Sequence, residues 1–162
     1  MSGTAPSARV ELVPMKAADF EPFLAGLLRL YAAGHVRSGR WTEEEALTEA
    51  RRETSRLLPA GFETPGHHFF TIRTVPGGTK VGALWFAIEP RGGYIYDLLI
   101  EEPHRRRGYA EQAMRALEGF ARAQGVDRLH LHVFGENTPA RRLYERLGYT
   151  ETDVLMAKPL GP

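Results

Sequence analysis

The chain has 162 residues, 43% of them apolar, with no cysteine and with 21 basic against 20 acidic side chains, a formal charge of +1. This is enough apolar material for one domain with a real core. The absent thiols exclude disulfides, thiolate catalysis and cysteine-held metal, and the balanced charge excludes a global field for nucleic acid. No stretch approaches the roughly 20 apolar residues of a membrane span, and Met1–Arg9 lacks the charged and apolar regions of a secretory leader, so a cytoplasmic protein with no membrane or nucleic-acid partner is expected.

Residues 1–8 are small and polar and read as a frayed tail. Val10–Pro14 reads as a first strand. Asp19 offers a helix start, with Pro22 tolerated in the first turn. Phe20, Phe23, Leu24, Leu27, Leu28 and Tyr31 then recur at helical spacing, and the helix should end near Gly34 or Ser38-Gly39. Thr42 and Glu45 form a capping box for a second helix, whose stripe is Ala46, Leu47, Ala50, Thr54 and Leu57 and whose stop is Pro59 and Gly61. A loop from Gly61 to His68 carries a His67-His68 pair, but no second cluster at ligand spacing accompanies it, so no metal is expected. Phe69–Val75, Lys80–Ile88 and Gly93–Ile100 read as an antiparallel meander with turns at Pro76-Gly77-Gly78 and Pro90–Gly93. Simple alternation assigns Tyr94, Tyr96, Leu98 and Ile100 to one face of the third strand, and Ile95, Asp97 and Leu99 to the other.

The most informative stretch follows. Leu98-Leu99-Ile100 gives way to the charged turn Glu101-Glu102-Pro103-His104, then to Arg105-Arg106-Arg107-Gly108-Tyr109-Ala110 at the mouth of a helix. Helix starts carry unpaired N–H groups and a positive dipole end. Gly108 and Ala110 let an anion approach the backbone, and the arginines add fixed charge, so the segment is a candidate pyrophosphate cradle. A plain solvated turn is the competing reading. The P-loop is excluded because its lysine and Ser/Thr are missing, and the dinucleotide fingerprint because its three glycines are missing. Ala110, Ala113, Met114, Leu117, Phe120 and Ala121 form the helix stripe, closed by Gly125. Arg128–Phe134 is the next strand, with His130, His132 and Phe134 on one face and Leu129, Leu131 and Val133 on the other, in a parallel, right-handed crossover with the strand before it. Thr138-Pro139 reads as a cap and first helical position. Ala140, Leu143, Tyr144 and Leu147 line the helix, Gly148 closes it, and Tyr149 packs back. Asp153–Lys158 reads as a last strand. Without repeats or linkers, a single domain over 1–162 is expected.

Two of these segments resemble signatures of the GCN5-related N-acetyltransferase superfamily. Arg105-Arg106-Arg107-Gly108-Tyr109-Ala110 is similar to its Arg/Gln-x-x-Gly-x-Gly/Ala motif. Asn137-Thr138-Pro139-Ala140, with Tyr144 and Gly148-Tyr149, is similar to its second motif. The resemblance covers about Tyr94 to Lys158. It implies an α/β fold with a mixed, mostly antiparallel sheet of about six or seven strands, about four helices, and splayed central parallel strands. It implies acetyl-CoA as acyl donor and cosubstrate, with the backbone of Leu98, Leu99 and Ile100 pairing the pantetheine arm. Amides of Arg106, Arg107, Gly108, Tyr109 and Ala110 would take the pyrophosphate, Arg105 would support the loop or the phosphates, and Asn137 would contact the coenzyme. The implied reaction is direct acetyl transfer to a primary amine, with Tyr144 in the place of the acid that protonates the leaving sulfur. His132 stands where some relatives carry a glutamate base; Asp97 and a water chain are its rivals. His130 reads as substrate-side or core. A different acyl-CoA, a hydroxyl acceptor, or an idle coenzyme-binding regulatory module remain as alternatives. A small molecule or peptide is open as acceptor, and a homodimer is open by family habit.

Overall fold

Every strand pairs with its neighbour in the sequence. The computed structural model describes residues 8–162, so the expected tail lies, but for Ala8, outside the described residues. Within them the sheet has five strands in the order β1-β2-β3-β4-β5: β1 Arg9–Pro14, β2 His67–Val75, β3 Lys80–Glu89, β4 Gly92–Ile100 and β5 Leu129–Leu131. The first three pairings are antiparallel and β4–β5 is parallel. Four α-helices accompany it: α1 Ala17–Arg37, α2 Glu43–Leu57, α3 Tyr109–Ala123 and α4 Thr138–Arg146. The mixed, mostly antiparallel architecture is the expected one, but the strand count falls below six or seven. Asp153–Lys158 is not a strand: Val154, Leu155 and Met156 are 60%, 96% and 86% exposed. Strand character comes from ladder bonds to a neighbour, and this apolar run forms none among the described residues. Chain contacts divide the molecule into two compact units, Met1–His132 and Val133–Pro162.

In the first unit the sheet is covered on both faces. On one face Phe69, Ala83 and Trp85 pack with Met15, Phe20 and Leu58, against Phe23, Leu24 and Leu27 of α1. On the other, Phe120 of α3 lies edge-on to His68, Phe70 and Phe86, at 5.2, 5.2 and 6.2 Å between ring centroids. Met114 and Leu117 of the same helix are fully buried. Burial of these large apolar side chains supplies the main stabilisation, about 1.5–3 kcal/mol for each.

The α1–α2 hairpin differs in detail from the sequence reading. α1 begins at Ala17, two residues ahead of Asp19, whose N–H bonds back to the carbonyl of Lys16 at 2.9 Å. Asp19 therefore serves the dipole in the first turn rather than capping it. The capping box of α2 forms as expected: Glu45 N–H donates to Thr42 Oγ1 (3.3 Å), and Thr42 N–H donates to Glu45 Oε1 (3.0 Å). Its buried stripe is narrower than predicted. Ala46, Ala50 and Thr54 are buried, whereas Leu47 and Leu57 are 37% and 36% exposed. Small residues bring α2 close to Leu28 and Ala32 of α1, and the leucines are left at the rim. Glu53 then locks the hairpin by accepting from Tyr31 Oη (2.8 Å) and from Arg40 Nη2 (2.5 Å). Burial and this carboxylate together push the Tyr31 phenol up to about 12.

Candidate functional site

β4 and the loop that follows it carry three departures from regular structure, and together they build the candidate site. The first is a bulge. Trp85 faces Asp97 and Phe86 faces Ile95, so Tyr96 is the extra residue. The insertion reverses the side-chain parity, which corrects the simple alternation. Asp97 and Leu99 now share the face of Trp85 and Ala83, while Ile95 shares the opposite face with Leu98 and Ile100. The rings of Tyr94 and Tyr96 lie 4.5 Å apart, and Tyr96 stacks on Trp85 at 4.6 Å.

The second departure is the end of a ladder. β4 and β5 pair at Gly93↔Leu129, Tyr94↔His130 and Ile95↔Leu131, and the parallel pairing stops there. From Tyr96 to Ile100 β4 runs on beside β3, in register up to Gly82↔Ile100. Leu98, Leu99 and Ile100 thus present a ladder edge of the kind an amide-bearing ligand can join. On the β3 side the contact is very close: a Cβ on Gly82 would stand 2.1 Å from the Leu99 carbonyl oxygen.

The third is the exit loop. Arg105 Nε donates to the Ile100 carbonyl at 2.9 Å, tying the loop to the strand end. Arg106 (φ 62°) and Gly108 (φ 78°) both adopt the left-handed conformation, Gly108 as N-cap of α3. Gln112 N–H donates to the Gly108 carbonyl at 3.2 Å and closes the first turn. The N–H groups of Tyr109, Ala110 and Glu111 within that turn point out of the helix start, where the dipole is positive. Arg105, Arg106 and Arg107 are exposed, whereas the Tyr109 side chain is buried, so Tyr109 offers its backbone and anchors the helix with its ring.

Three titratable groups named from the sequence lie in this unit. Burial pushes the Asp97 carboxyl up to about 7, and a bond from the Leu98 N–H only partly offsets it. His132 is exposed, one residue beyond β5. His130 Nδ1 lies 3.3 Å from the Gly93 carbonyl, at the start of the parallel ladder. The His67-His68 pair is split by strand geometry, since both residues belong to β2 rather than to a loop. His67 Nδ1 accepts from Trp85 Nε1 at 3.0 Å on one face, and His68 packs on Phe120 on the other.

The second unit carries Asn137 and Tyr144. The helix cap sits one residue earlier than expected: Asn137 Oδ1 accepts from Ala140 N–H (3.4 Å), and Thr138 is already helical. A side chain that can accept from the third helical N–H is the better cap, and Pro139 remains within the first turn. Tyr144 is fixed by the helix end. Tyr149 N–H donates to the Tyr144 carbonyl (2.9 Å), Gly148 N–H donates to that of Glu145 (3.0 Å), and Gly148 has φ 93°. These are the two bonds of a Schellman motif, and the ring of Tyr149 packs on that of Tyr144 at 5.7 Å.

The bulge at Tyr96, the left-handed Arg106 and the close approach at Gly82 lie beyond the sequence reading. Arginine has no special preference for positive φ, so the sequence holds no sign of it at position 106. Among the described residues no helix is long and apolar enough to cross a membrane.

The acetyltransferase (GNAT) family model matches residues 27–149. The chain is 40% identical over 93% of its length to the uncharacterized N-acetyltransferase YycN of Bacillus subtilis (strain 168), and covers 99% of that protein. It is 33% identical to the uncharacterized N-acetyltransferase YdgE of the same organism, over 92% of this chain and 97% of YdgE. The crystal structure of B. subtilis YycN superposes with a TM-score of 0.89 at 39% identity, covering 94% of this chain and 99% of that one. A Thermoplasma acidophilum PaiA N-acetyltransferase in complex with coenzyme A shares the fold, with a TM-score of 0.65 at 15% identity over 90% of this chain and 92% of that one.

Proposed function

The chain belongs to the acetyltransferase (GNAT) family, and on that premise we propose that it is an acetyl-CoA-dependent N-acetyltransferase acting on a primary amine, its two units forming one domain. One observation carries the reading. The strand that loses its parallel partner after Ile95 leads directly into a loop with two left-handed residues at a helix start. A coenzyme with an amide-bearing arm and a diphosphate needs those two features in that order. Leu98, Leu99 and Ile100 would hold the arm, and the amides of Arg106 to Ala110 the diphosphate. Arg105 steadies the loop, and Arg106 and Arg107 add charge. Asn137 caps its helix and is proposed to contact the coenzyme. When bound, the coenzyme supplies an acyl thioester.

Two proton transfers complete the reaction. The attacking amine must be neutral, and the departing sulfur needs a proton. Tyr144 is assigned as the donor to sulfur, because a phenol keeps its proton at neutral pH and shares it with a developing anion. His132 is assigned as the acceptor from the amine. Asp97 is a second reading, favoured by a carboxyl held at about 7, where it is both largely ionised and basic in mildly alkaline solution.

Calorimetry with coenzyme A, followed by thiol release over a panel of amines, tests the whole. Tyr144→Phe should keep coenzyme affinity and lower kcat by about 10²-fold; an unchanged kcat removes the acid assignment. His132→Ala and Asp97→Asn decide the base. The variant that loses the acidic limb of the pH–rate profile identifies the group, and loss of that limb in neither assigns the proton to water.

A further inference from the structure

One face of β3 and β4 holds more chemistry than acetyl transfer by itself requires. The bulge turns Tyr94, Tyr96 and Asp97 toward the face that carries Trp85, and Glu89 lies on the same face because β3 alternates regularly from Trp85 to Glu89. Tyr96 Oη donates to Glu89 Oε1, and the Tyr96 ring stacks on Trp85 while that of Tyr94 packs tilted against it. Both carboxylates are half-buried. Among the described residues, no lysine or arginine forms an ion pair with either. His67, which shares that face through its pairing with Ala87, is held toward its neutral form by burial and accepts a bond from Trp85. Burying a carboxylate without a cation is costly, and two on one aromatic face leave the surface short of positive charge. Aromatic faces and carboxylates together are what a desolvated ammonium prefers.

We propose that this face is the acceptor subsite, and that it selects an amine carrying a second, protonated nitrogen: the ammonium sits on Tyr94, Tyr96 and Glu89 while the reacting nitrogen lies toward Asp97. The inference rests on the N-acetyltransferase reading and adds a substrate class to it. A monoamine of equal length satisfies only one carboxylate. A diamine satisfies both, and it gives up one proton at the reacting end.

The test compares cadaverine with n-pentylamine on the coenzyme A-loaded protein by calorimetry, and on the acetyl-CoA enzyme by thiol release. The wild-type chain should favour cadaverine by at least tenfold in both. Glu89→Gln should collapse that ratio toward one, and Tyr96→Phe, which keeps the ring and removes the hydroxyl, should lower it severalfold. Coenzyme binding by each variant reports that it is folded. Equal affinity for the two amines, no binding of either, or a ratio that survives Glu89→Gln overturns the subsite. Selective binding of cadaverine without thiol release keeps the subsite and removes the transferase reading. Turnover of both amines at equal kcat/KM does the reverse.

Discussion

Asp97 is a carboxyl whose burial works against stability. Its carboxyl is raised from 3.8 to about 7, chiefly by burial. The folded chain therefore holds this proton more tightly than the unfolded chain does. The associated stability is fully present below about pH 4, is lost as pH rises through 7, and is level beyond. Asp97→Asn should remove that slope. In urea titrations the variant should gain on the order of 4 kcal/mol over the wild type at pH 8 and nothing at pH 4. A parallel offset at both pH values would place the strain elsewhere. Arg106 carries a comparable cost in the backbone: a side chain at φ 62° costs roughly 1 kcal/mol that glycine would avoid. The sequence announced the carboxylate and the arginine as candidates. It could not announce their environments, because the parity that places Asp97 beside Trp85 depends on a one-residue insertion in a ladder, and both Tyr94 and Tyr96 are acceptable on either face of a strand.

At the level of elements, β4 is held from behind by β3 with no room to spare. Gly82→Ala would drive a methyl group into the Leu99 carbonyl, and backbone cannot swing aside as a side chain can. The strand edge proposed for the coenzyme arm must shift in response. The substitution should weaken coenzyme A at least tenfold by calorimetry, with a lower Tm; unchanged affinity would show that the edge is not the contact. By contrast, the elements that were legible had local causes. The capping box named the start of α2, Gly125 and Gly148 named the ends of α3 and α4, and the meander announced itself through its turns. What failed had non-local causes. Leu47 and Leu57 kept the right period but yielded the interface to alanines, and Asp153–Lys158 had strand composition without a partner. The candidate site was legible to the same degree: its loop and helix start could be read from Arg105–Ala110, and the aromatic–carboxylate face proposed for the acceptor could not.

Across the whole molecule the charge is +1, so attraction of an anionic coenzyme has to arise locally. Salt should weaken coenzyme A binding between about 0.05 and 0.5 M, and replacing Arg106 and Arg107 with glutamine should flatten that dependence. A slope identical to the wild type would move the cationic contact away from the loop. Finally, the bond from Arg105 to the Ile100 carbonyl has a geometric result. It ties the turn proposed for the diphosphate to the strand proposed for the arm, so the interval between the two grips would be set by the protein rather than adjusted to the guest. The pair behaves as a gauge of fixed span. Under the proposed binding mode, a donor whose chain between amide and diphosphate is too long or too short would satisfy one grip only by forfeiting the other, and donor length would be checked before any chemistry begins.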